Sequence, residues 1–553
     1  MRNADAVPAM LVTAFTLHQS GQLDAAERLY QTILKRVPSH PDAWHLMALI
    51  ARARGEPERA VDCAERAITA KPQFAEAKNT LGVALRALGR VTSALRAFEE
   101  AVKIKPAYVE AWYNAGNALQ MLGRPTPAAE CYEQALALAP ALRDARSNLL
   151  LVMNYSPDFS REAIFSTYCK LAPPASTAMP HFNHPDPNRR LKIGYVSPDF
   201  RRHPVAYFFE PVLRCHDRTN FEVYCYDCHG SGDEVTSRIR AQTDHWRDIT
   251  AVADEDAAKL VAADQIDILV DLANHTRGNR LEIFARKPAP LQVTWLGMPQ
   301  TTGLDTMDFR ITDALVDPVG LTEAIHTEGL LRLPNGALAF DADPAWPAVN
   351  ELPAARNGYI TFASFNNLAK VNPAVIAVWA QILLSIPEAR LLFAASGDQD
   401  DELSAAVRTR FMRHGLAGER IEFAGRQSLT DFLRLHHQVD VALDPFPCCG
   451  VTTTLHSLWM GVPVITLEGD TPVSRGGVGI LGRLSLDEFV AQSEERYIAI
   501  ATRMAVDTNY LATLRRSLRG RIAASIFSDP ATVTRDLESA YRRIWQNWCA
   551  AAT

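Results

Sequence analysis

The sequence predicts an N-terminal α-solenoid of helical hairpins followed by two doubly wound α/β halves. Three observations carry this reading: a 34-residue repeat in the first quarter, a proline-rich break after it, and a downstream alternation of short apolar runs with helix-length amphipathic stretches. At 553 residues the chain has room for about three or four domains. Hydrophobic residues make up 48% and charged residues 22%, the balance of an ordinary globular protein, and a net charge of −6 offers no general attraction to nucleic-acid phosphates. Neither a nucleic-acid nor a membrane partner is therefore expected.

The repeat comes first. Gly21, Gly55, Gly89 and Gly123 are spaced by 34 residues, as are Ala26, Ala60, Ala94 and Ala128, and Pro38, Pro72, Pro106 and Pro140. Trp44 and Trp112 recur in the first helix of the unit, and Tyr30, Phe98 and Tyr132 in the second. Each unit reads as helix, glycine turn, helix and proline-marked exit, which is the tetratricopeptide (TPR) pattern. A further first helix, 143–154, caps the stack, so residues 1–155 are assigned to a TPR superhelix. Such an array suits a polypeptide partner in its groove; a spacer or dimerisation surface is the competing role. Asn114 and Asn148 share a register from which amides could grip a peptide backbone.

Residues 156–189 read as a linker, with prolines at 173, 174, 180, 185 and 187. Beyond it, apolar runs at 191–200, 221–228 and 266–275 mark strands of a first Rossmann-like half, 190–345. Runs at 359–367, 389–395, 420–425, 439–445 and 462–467 mark a second, 346–553, with amphipathic helices at 373–385 and 429–438. A closing helix is read at 532–550. Folds of this kind bind ligands beyond the carboxyl ends of their strands. The longest run without Asp, Glu, Lys or Arg, Pro445–Leu467, contains three prolines and two glycines, a composition no membrane helix tolerates. The opening residues lack a signal-peptide pattern, and nine irregularly spaced cysteines fit a reducing compartment, so a cytoplasmic location is expected.

Three segments point to chemistry. In DPFPCCGVTTTLHSLWMGVPVIT (444–466) a strand ends at Asp444 and Thr452, Thr453 and Thr454 open a helix. Unpaired N–H groups and the positive end of the helix dipole suit phosphate oxygens, and no carboxylate lies within 445–467 to repel them. A plain N-cap explains one threonine, not three. FNNLAK (365–370) places Lys370 after a strand, either as a solvated lysine or as a point charge at the cleft. SPDFRRHP (197–204) places His203 in the loop after the first strand, where it can take a proton near neutral pH or serve no catalytic end. Other patterns carry less. Cys225–His229 matches a haem-attachment string on an apparent strand, Gly477–Gly482 matches GxGxxG without a preceding strand, and Asp341 and Asp343 read as solvated turn residues.

Taken together and in order, TPR units, SPDFRRHP, FNNLAK and CCGVTTTLHSLWMGVPVIT resemble the O-GlcNAc transferases of glycosyltransferase family 41. The resemblance implies a GT-B fold, a UDP-sugar donor, protein Ser/Thr acceptors and inversion at the anomeric carbon, with neither metal nor cofactor. By the same resemblance His203 stands near the acceptor as the proposed base and Lys370 on the diphosphate. Asn367, Gln427, Phe432, Leu296, Gly297, Gly450, Val451, Thr452, Thr453, Thr454 and His456 are placed around the UDP-sugar. The chain departs from the family at Asn367 (often Gln), Val451 (often His), Phe432 (a ring-stacking His) and His456 (a carboxylate at the ribose). The implied reaction is GlcNAc transfer from UDP-GlcNAc to proteins. Transfer of another hexose such as glucose, and a catalytically weak scaffold that retains UDP binding, stay open.

Overall fold

The computed structural model describes residues 6–394, 402–425 and 427–552. Two compact units emerge: the described part of Met1–Val152 together with that of Ser396–His414, and the remainder.

In the first unit four helix pairs follow one another: Ala6–Gln19 with Leu23–Arg36, Pro41–Ala53 with Pro57–Ala70, Ala75–Ala87 with Val91–Ile104, and Val109–Met121 with Pro125–Leu138. Each pair turns at its repeat glycine, which adopts φ between +63° and +77°. At Gly21, Gly55 and Gly89 an alanine would have open space but the wrong backbone, at a cost of about 1–2 kcal/mol. The four repeat alanines are fully buried at the helix crossings. The tryptophans explain the prolines: the Trp44 indole donates to the Pro38 carbonyl (2.7 Å) and Trp112 to Pro106 (2.8 Å), tying each first helix to the exit before it. Helix Glu402–Met412 completes this unit. Its Glu402 carboxylate accepts from Ser93 N (2.8 Å) and Ser93 Oγ (2.6 Å), and Arg410 donates to the Leu122 carbonyl (2.9 Å).

The amides expected to hold a peptide are turned along the stack instead. Asn114 Nδ2 donates to Asn79 Oδ1 (3.0 Å), and Asn148 Nδ2 to Asn117 Oδ1 (2.9 Å). Asn79 in turn donates to Tyr108 Oη (3.2 Å), and Asn117 accepts from Tyr132 Oη (2.8 Å). These contacts satisfy buried polar groups within the solenoid.

Among the described residues of the second unit all thirteen strands are parallel. The first half contains β1 (Leu191–Ser197), β2 (Phe221–Asp227), β3 (His245–Asp248), β4 (Ile268–Asp271), β5 (Leu291–Thr294), β6 (Phe309–Thr312) and β7 (Gly329–Arg332), in the order β3-β2-β1-β4-β5-β6-β7. The second contains β8 (Thr361–Ser364), β9 (Arg390–Phe393), β10 (Ile421–Phe423), β11 (Val441–Leu443), β12 (Val464–Leu467) and β13 (Val490–Ala491), in the order β10-β9-β8-β11-β12-β13. In both sheets the strand order reverses beside the first strand, at β1/β4 and at β8/β11, and these switch points are where doubly wound sheets open a crevice. Residues 156–189 are not wholly a connector, since Arg161–Leu171 is a helix whose buried Tyr168 meets the His275 ring edge-on at 5.2 Å. The closing helix, Pro530–Ala552, packs Val533, Leu537, Tyr541, Ile544 and Trp545 into the core of the first half with Leu191, Ile193 and Val223. No helix among the described residues is long and apolar enough to cross a membrane.

Candidate active site

At the β8/β11 switch point the two sequence motifs of the second half meet. β8 leads through Phe365 and Asn366 to a 3₁₀ turn, Leu368–Lys370, and β11 leads through Asp444 to the helix Thr452–Trp459. Lys370 Nζ donates to the Cys449 carbonyl (2.8 Å) and to Asn366 Oδ1 (3.2 Å), so the ammonium is pinned just before the helix start. Burial alone would lower its pKa, but Cys448, Cys449 and the Asp444 carboxyl more than offset this and raise it, keeping a charge at the crevice.

Asp444 organises the loop. Its Oδ1 accepts from Gly450 N (2.7 Å) and Asn366 Nδ2 (3.2 Å), and its Oδ2 accepts from Thr466 Oγ1 (3.0 Å). Burial pushes its pKa up to about 7, against the pull of these donors and of Lys370. A Cβ at Gly450 would collide with Thr453 Oγ1 and stand 3.0 Å from Asn366 Nδ2, which is why the loop needs glycine there. Val451 takes the N-cap position without a side-chain oxygen to cap the helix, leaving first-turn N–H groups to other acceptors.

The three threonines divide. Thr454 is buried and its hydroxyl donates back to the Gly450 carbonyl (3.0 Å), so it serves the helix rather than the crevice. Thr453 reaches toward Asn366 Oδ1 (3.5 Å), and Thr452 is half-buried at the helix mouth. Asn367 is exposed and spends its side-chain oxygen capping the 3₁₀ turn through Ala369 N (3.0 Å); the buried neighbour Asn366 is the amide that joins Lys370, Asp444 and Thr453. Gln427 is exposed and donates to the Ala424 carbonyl. Asn366 and Asp444 escape a reading based on residue type, because a polar side chain at the end of a strand gives no sign of whether it turns in or out.

His456 lies one helical turn beyond Thr452. It is 4% exposed, and neither ring nitrogen has a hydrogen-bond partner. The rings of Trp346 (5.2 Å), Tyr207 (5.4 Å), Phe340 (5.8 Å) and Phe432 (6.1 Å) surround it. Burial lowers its pKa to about 4, so the imidazole is neutral. A buried polar ring left unpaired costs about 1–3 kcal/mol.

His203 caps the helix Pro204–Cys215, its Nδ1 accepting from Val205 N at 3.4 Å and lying 3.4 Å from Asp199 Oδ2. Burial of most of the ring, then the Arg201 charge, lowers its pKa to about 4, while burial raises that of Asp199 to about 6. At neutral pH the pair is thus a neutral imidazole beside a carboxylate. His203 and Tyr207 line a cavity of about 750 Å³ with Trp346 and Ser428–Thr430, so this cavity has walls from both α/β halves. Leu296 and Gly297 sit on the first half's own binding edge. Leu296 adopts φ +63°, and a Cβ on Gly297 would press into the backbone of Ala273 and Asn274, beside the β4 exit.

The patterns set aside above have structural explanations. Gly477, Gly479 and Gly482 lie within the helix Gly476–Arg483, where added Cβ atoms would crowd Thr466, Val316 and Leu315. Asp341 pairs with Arg214 (2.7 Å), and Asp343 closes a turn through Ala345 N (2.8 Å). Cys225 and Cys228 are free thiols, Cys225 buried on β2. Among the described residues no cluster of three or more His, Cys, Asp or Glu is arranged to hold a metal ion.

Two parallel sheets, each with its switch point at a loop rich in functional groups, preceded by helical repeats, define a TPR-bearing protein of the GT-B fold. The chain belongs to glycosyltransferase family 41, whose model matches residues 175–347 and 348–537; tetratricopeptide-repeat models match 17–75, 45–109 and 109–142. It is 38% identical over 420 residues to the probable UDP-N-acetylglucosamine–peptide N-acetylglucosaminyltransferase SPINDLY of Petunia hybrida, an alignment covering 74% of this chain and 44% of that one. To the UDP-N-acetylglucosamine–peptide N-acetylglucosaminyltransferase of Caenorhabditis elegans it is 25% identical over 475 residues, covering 65% and 41%. This chain spans about half the length of the curated relatives it matches. Among solved structures it matches a mutant O-GlcNAc transferase of Thermobaculum terrenum with a TM-score of 0.82 and 37% identity, over 93% of this chain and 98% of that one.

Proposed function

We propose that this protein transfers a sugar, GlcNAc in the first instance, from a UDP donor to Ser or Thr hydroxyls of polypeptides, with inversion and without a metal ion. The observation that carries the reading is the meeting of the Lys370 ammonium with the uncapped start of helix Thr452–Trp459 at the β8/β11 switch point. The relatives' names supply the sugar and the acceptor class.

In the proposed step the acceptor oxygen forms a bond to the sugar C1 while the bond from C1 to the β-phosphate oxygen breaks. The electron pair leaves on the diphosphate. Lys370 and the first-turn N–H groups face that growing charge, a preorganised arrangement of the kind that strengthens in the transition state. The acceptor proton passes to His203. The low pKa keeps the ring neutral beforehand, and receipt of the proton at Nε2 uses the tautomer protonated at Nδ1 toward Asp199, which gives up the 3.4 Å contact from Val205 N. Polypeptide binding is assigned to the repeat unit, whose hairpins form the kind of array that holds extended chains.

The test is a transfer assay with radiolabelled donors on denatured lysate, comparing UDP-GlcNAc, UDP-glucose and a panel of other nucleotide sugars, with and without EDTA. Wild-type protein should label polypeptide from UDP-GlcNAc in either condition. Lys370→Ala should lose about 10²–10³-fold in turnover while keeping its far-UV spectrum. Labelling by Lys370→Ala at the wild-type rate would overturn the leaving-group assignment, and loss of activity in EDTA would overturn metal independence. Preference for a different sugar would keep the transferase and replace the donor.

A further inference from the structure

We propose that the helix Gly476–Arg483 sets the separation between the two α/β halves at the crevice, with Arg475, Gly479 and Arg483 as positioning residues for the transfer; this rests on the transferase reading above. The helix belongs to the second half, yet both of its ends are tied to the first. Arg475, at its N-cap and 7% exposed, donates from Nε to the Leu315 carbonyl (3.0 Å). Its Nη1 donates to the Glu468 carboxylate (2.6 Å) and the Gly469 carbonyl (3.0 Å), so one guanidinium bridges the halves. Arg483, the last helical residue, pairs with Asp313 Oδ1 (3.0 Å) and donates to the Asn335 carbonyl (3.1 Å). The same Asp313 oxygen accepts from Leu315 N (2.9 Å) and Val316 N (3.1 Å), so Arg483 also grips the turn that the helix touches.

Between the two arginines the helix offers bare backbone. A Cβ on Gly479 would stand 2.8 Å from Val316 Cγ2, and one on Gly482 would stand 3.2 Å from Leu315 Cδ1, so the first-half loop lies directly on the helix. Carbon atoms rest about 3.5–4.0 Å apart, and a methyl at 479 must therefore push loop and helix apart by roughly half an ångström or more.

This contact joins the two parts of the proposed reaction. Loop 313–316 leaves β6 at the carboxyl edge of a parallel sheet, the edge from which the loop carrying His203 leaves β1. At the other end, the first turn of the helix rests on the loop that precedes Thr452. Gly477 N donates to Cys449 Sγ (3.4 Å), and a Cβ on Gly476 would meet Val451 Cγ2 at 2.8 Å. One eight-residue helix thus spans from the proposed anion site to the edge that bears the proposed base. Displacement at C1 needs the acceptor and the leaving oxygen in line, and a misplacement of about 1 Å costs up to about 10²-fold in rate.

The test uses full-length Gly479→Ala and the double variant Gly479→Ala/Val316→Ala, which adds the methyl and removes the atoms it strikes. Alanine is the better helix former, so the first change does not weaken the helix itself. In Gly479→Ala, kcat for labelling denatured lysate from UDP-GlcNAc should fall about 10–10²-fold. Donor KM and pyrophosphate affinity by calorimetry should stay within about twofold of wild type, and Tm within a few degrees. The double variant should recover most of the lost kcat. Wild-type turnover in Gly479→Ala, a parallel loss of pyrophosphate binding, or no recovery in the double variant would each reduce the helix to an ordinary packing contact and end the inference, while the transferase reading stands. A wild-type protein that binds pyrophosphate but labels nothing from any nucleotide sugar would remove the transferase reading and this inference with it.

Discussion

Asp444 and His203 are shifted in opposite directions, and each shift has a measurable consequence. The Asp444 carboxyl sits near pH 7 in the fold against an ordinary 3.8. Its preference for the protonated form therefore contributes stability that is complete below about pH 4 and lost as the pH rises through about 7. The same ionisation places a negative charge behind the proposed anion site. Pyrophosphate affinity should fall above pH 7, toward tenfold per pH unit, and in Asp444→Asn, which keeps the acceptor for Gly450 N, this dependence should flatten in calorimetry. For His203 as the proposed base, the lowered value predicts that the acid limb of a kcat/KM profile should fall near 4 rather than 6.5. His203→Ala should lose about 10²–10⁴-fold in turnover with UDP affinity retained. The sequence points to FNNLAK as a unit but cannot separate two adjacent asparagines. The first leaves β8 inward toward Asp444, and the second must cap the 3₁₀ turn, a distinction set by one residue of backbone direction.

Elements differ in how openly the sequence announces them. The TPR hairpins do so fully, because glycine φ, alanine crossing and proline exit are imposed at fixed spacing by the geometry of the unit. The helix Pro373–Ser385 does so as well, with Asn372 capping it through Val375 N (3.0 Å) and proline at its first position. By contrast β3 is the tetrapeptide HWRD, half-exposed at a sheet edge and without apolar alternation, and β13 has only two residues; both exist because a neighbouring strand pairs with them. The loop from β11 to Thr452 carries the proposed anion site, and its tolerance is narrow. Gly450→Ala places a methyl against Thr453 Oγ1 and the Asn366 amide. The fold should survive it, with a thermal midpoint within a few degrees of wild type, while pyrophosphate affinity drops about tenfold or more as the helix start is pushed from Lys370. Unaltered affinity would show that the loop can relax without cost to the anion site.

The whole molecule is held by contacts that no local pattern discloses. Glu402 reaches Ser93 across 309 residues of sequence, placing a helix that follows β9 within the repeat unit. The closing helix is different, since its apolar stripe at 533, 537, 541 and 544–545 is readable, but its destination is not. It follows the second half and packs into the first, beneath β1 and β2. Tyr541 lies 3.5 Å from Tyr195 Oη, Glu538 bonds His216 Nδ1 (2.8 Å), and the Trp545 indole donates to the Asp186 carbonyl (2.9 Å) with the Arg189 guanidinium 4.6 Å above the ring. The closing helix thus shares a core with Val205, Ala206 and Phe209 of the helix that His203 caps, so the geometry proposed for His203 depends on residues more than 300 positions further along the sequence. Trp545→Ala removes a fully buried indole and should cost about 3–5 kcal/mol, read as a lowered urea midpoint for the transition that carries the first half. Because Lys370 and the Thr452 helix lie outside that core, residual pyrophosphate binding should outlast transferase activity as urea is raised. Simultaneous loss of both at one midpoint, in variant and wild type alike, would show that the two halves unfold as a single cooperative body.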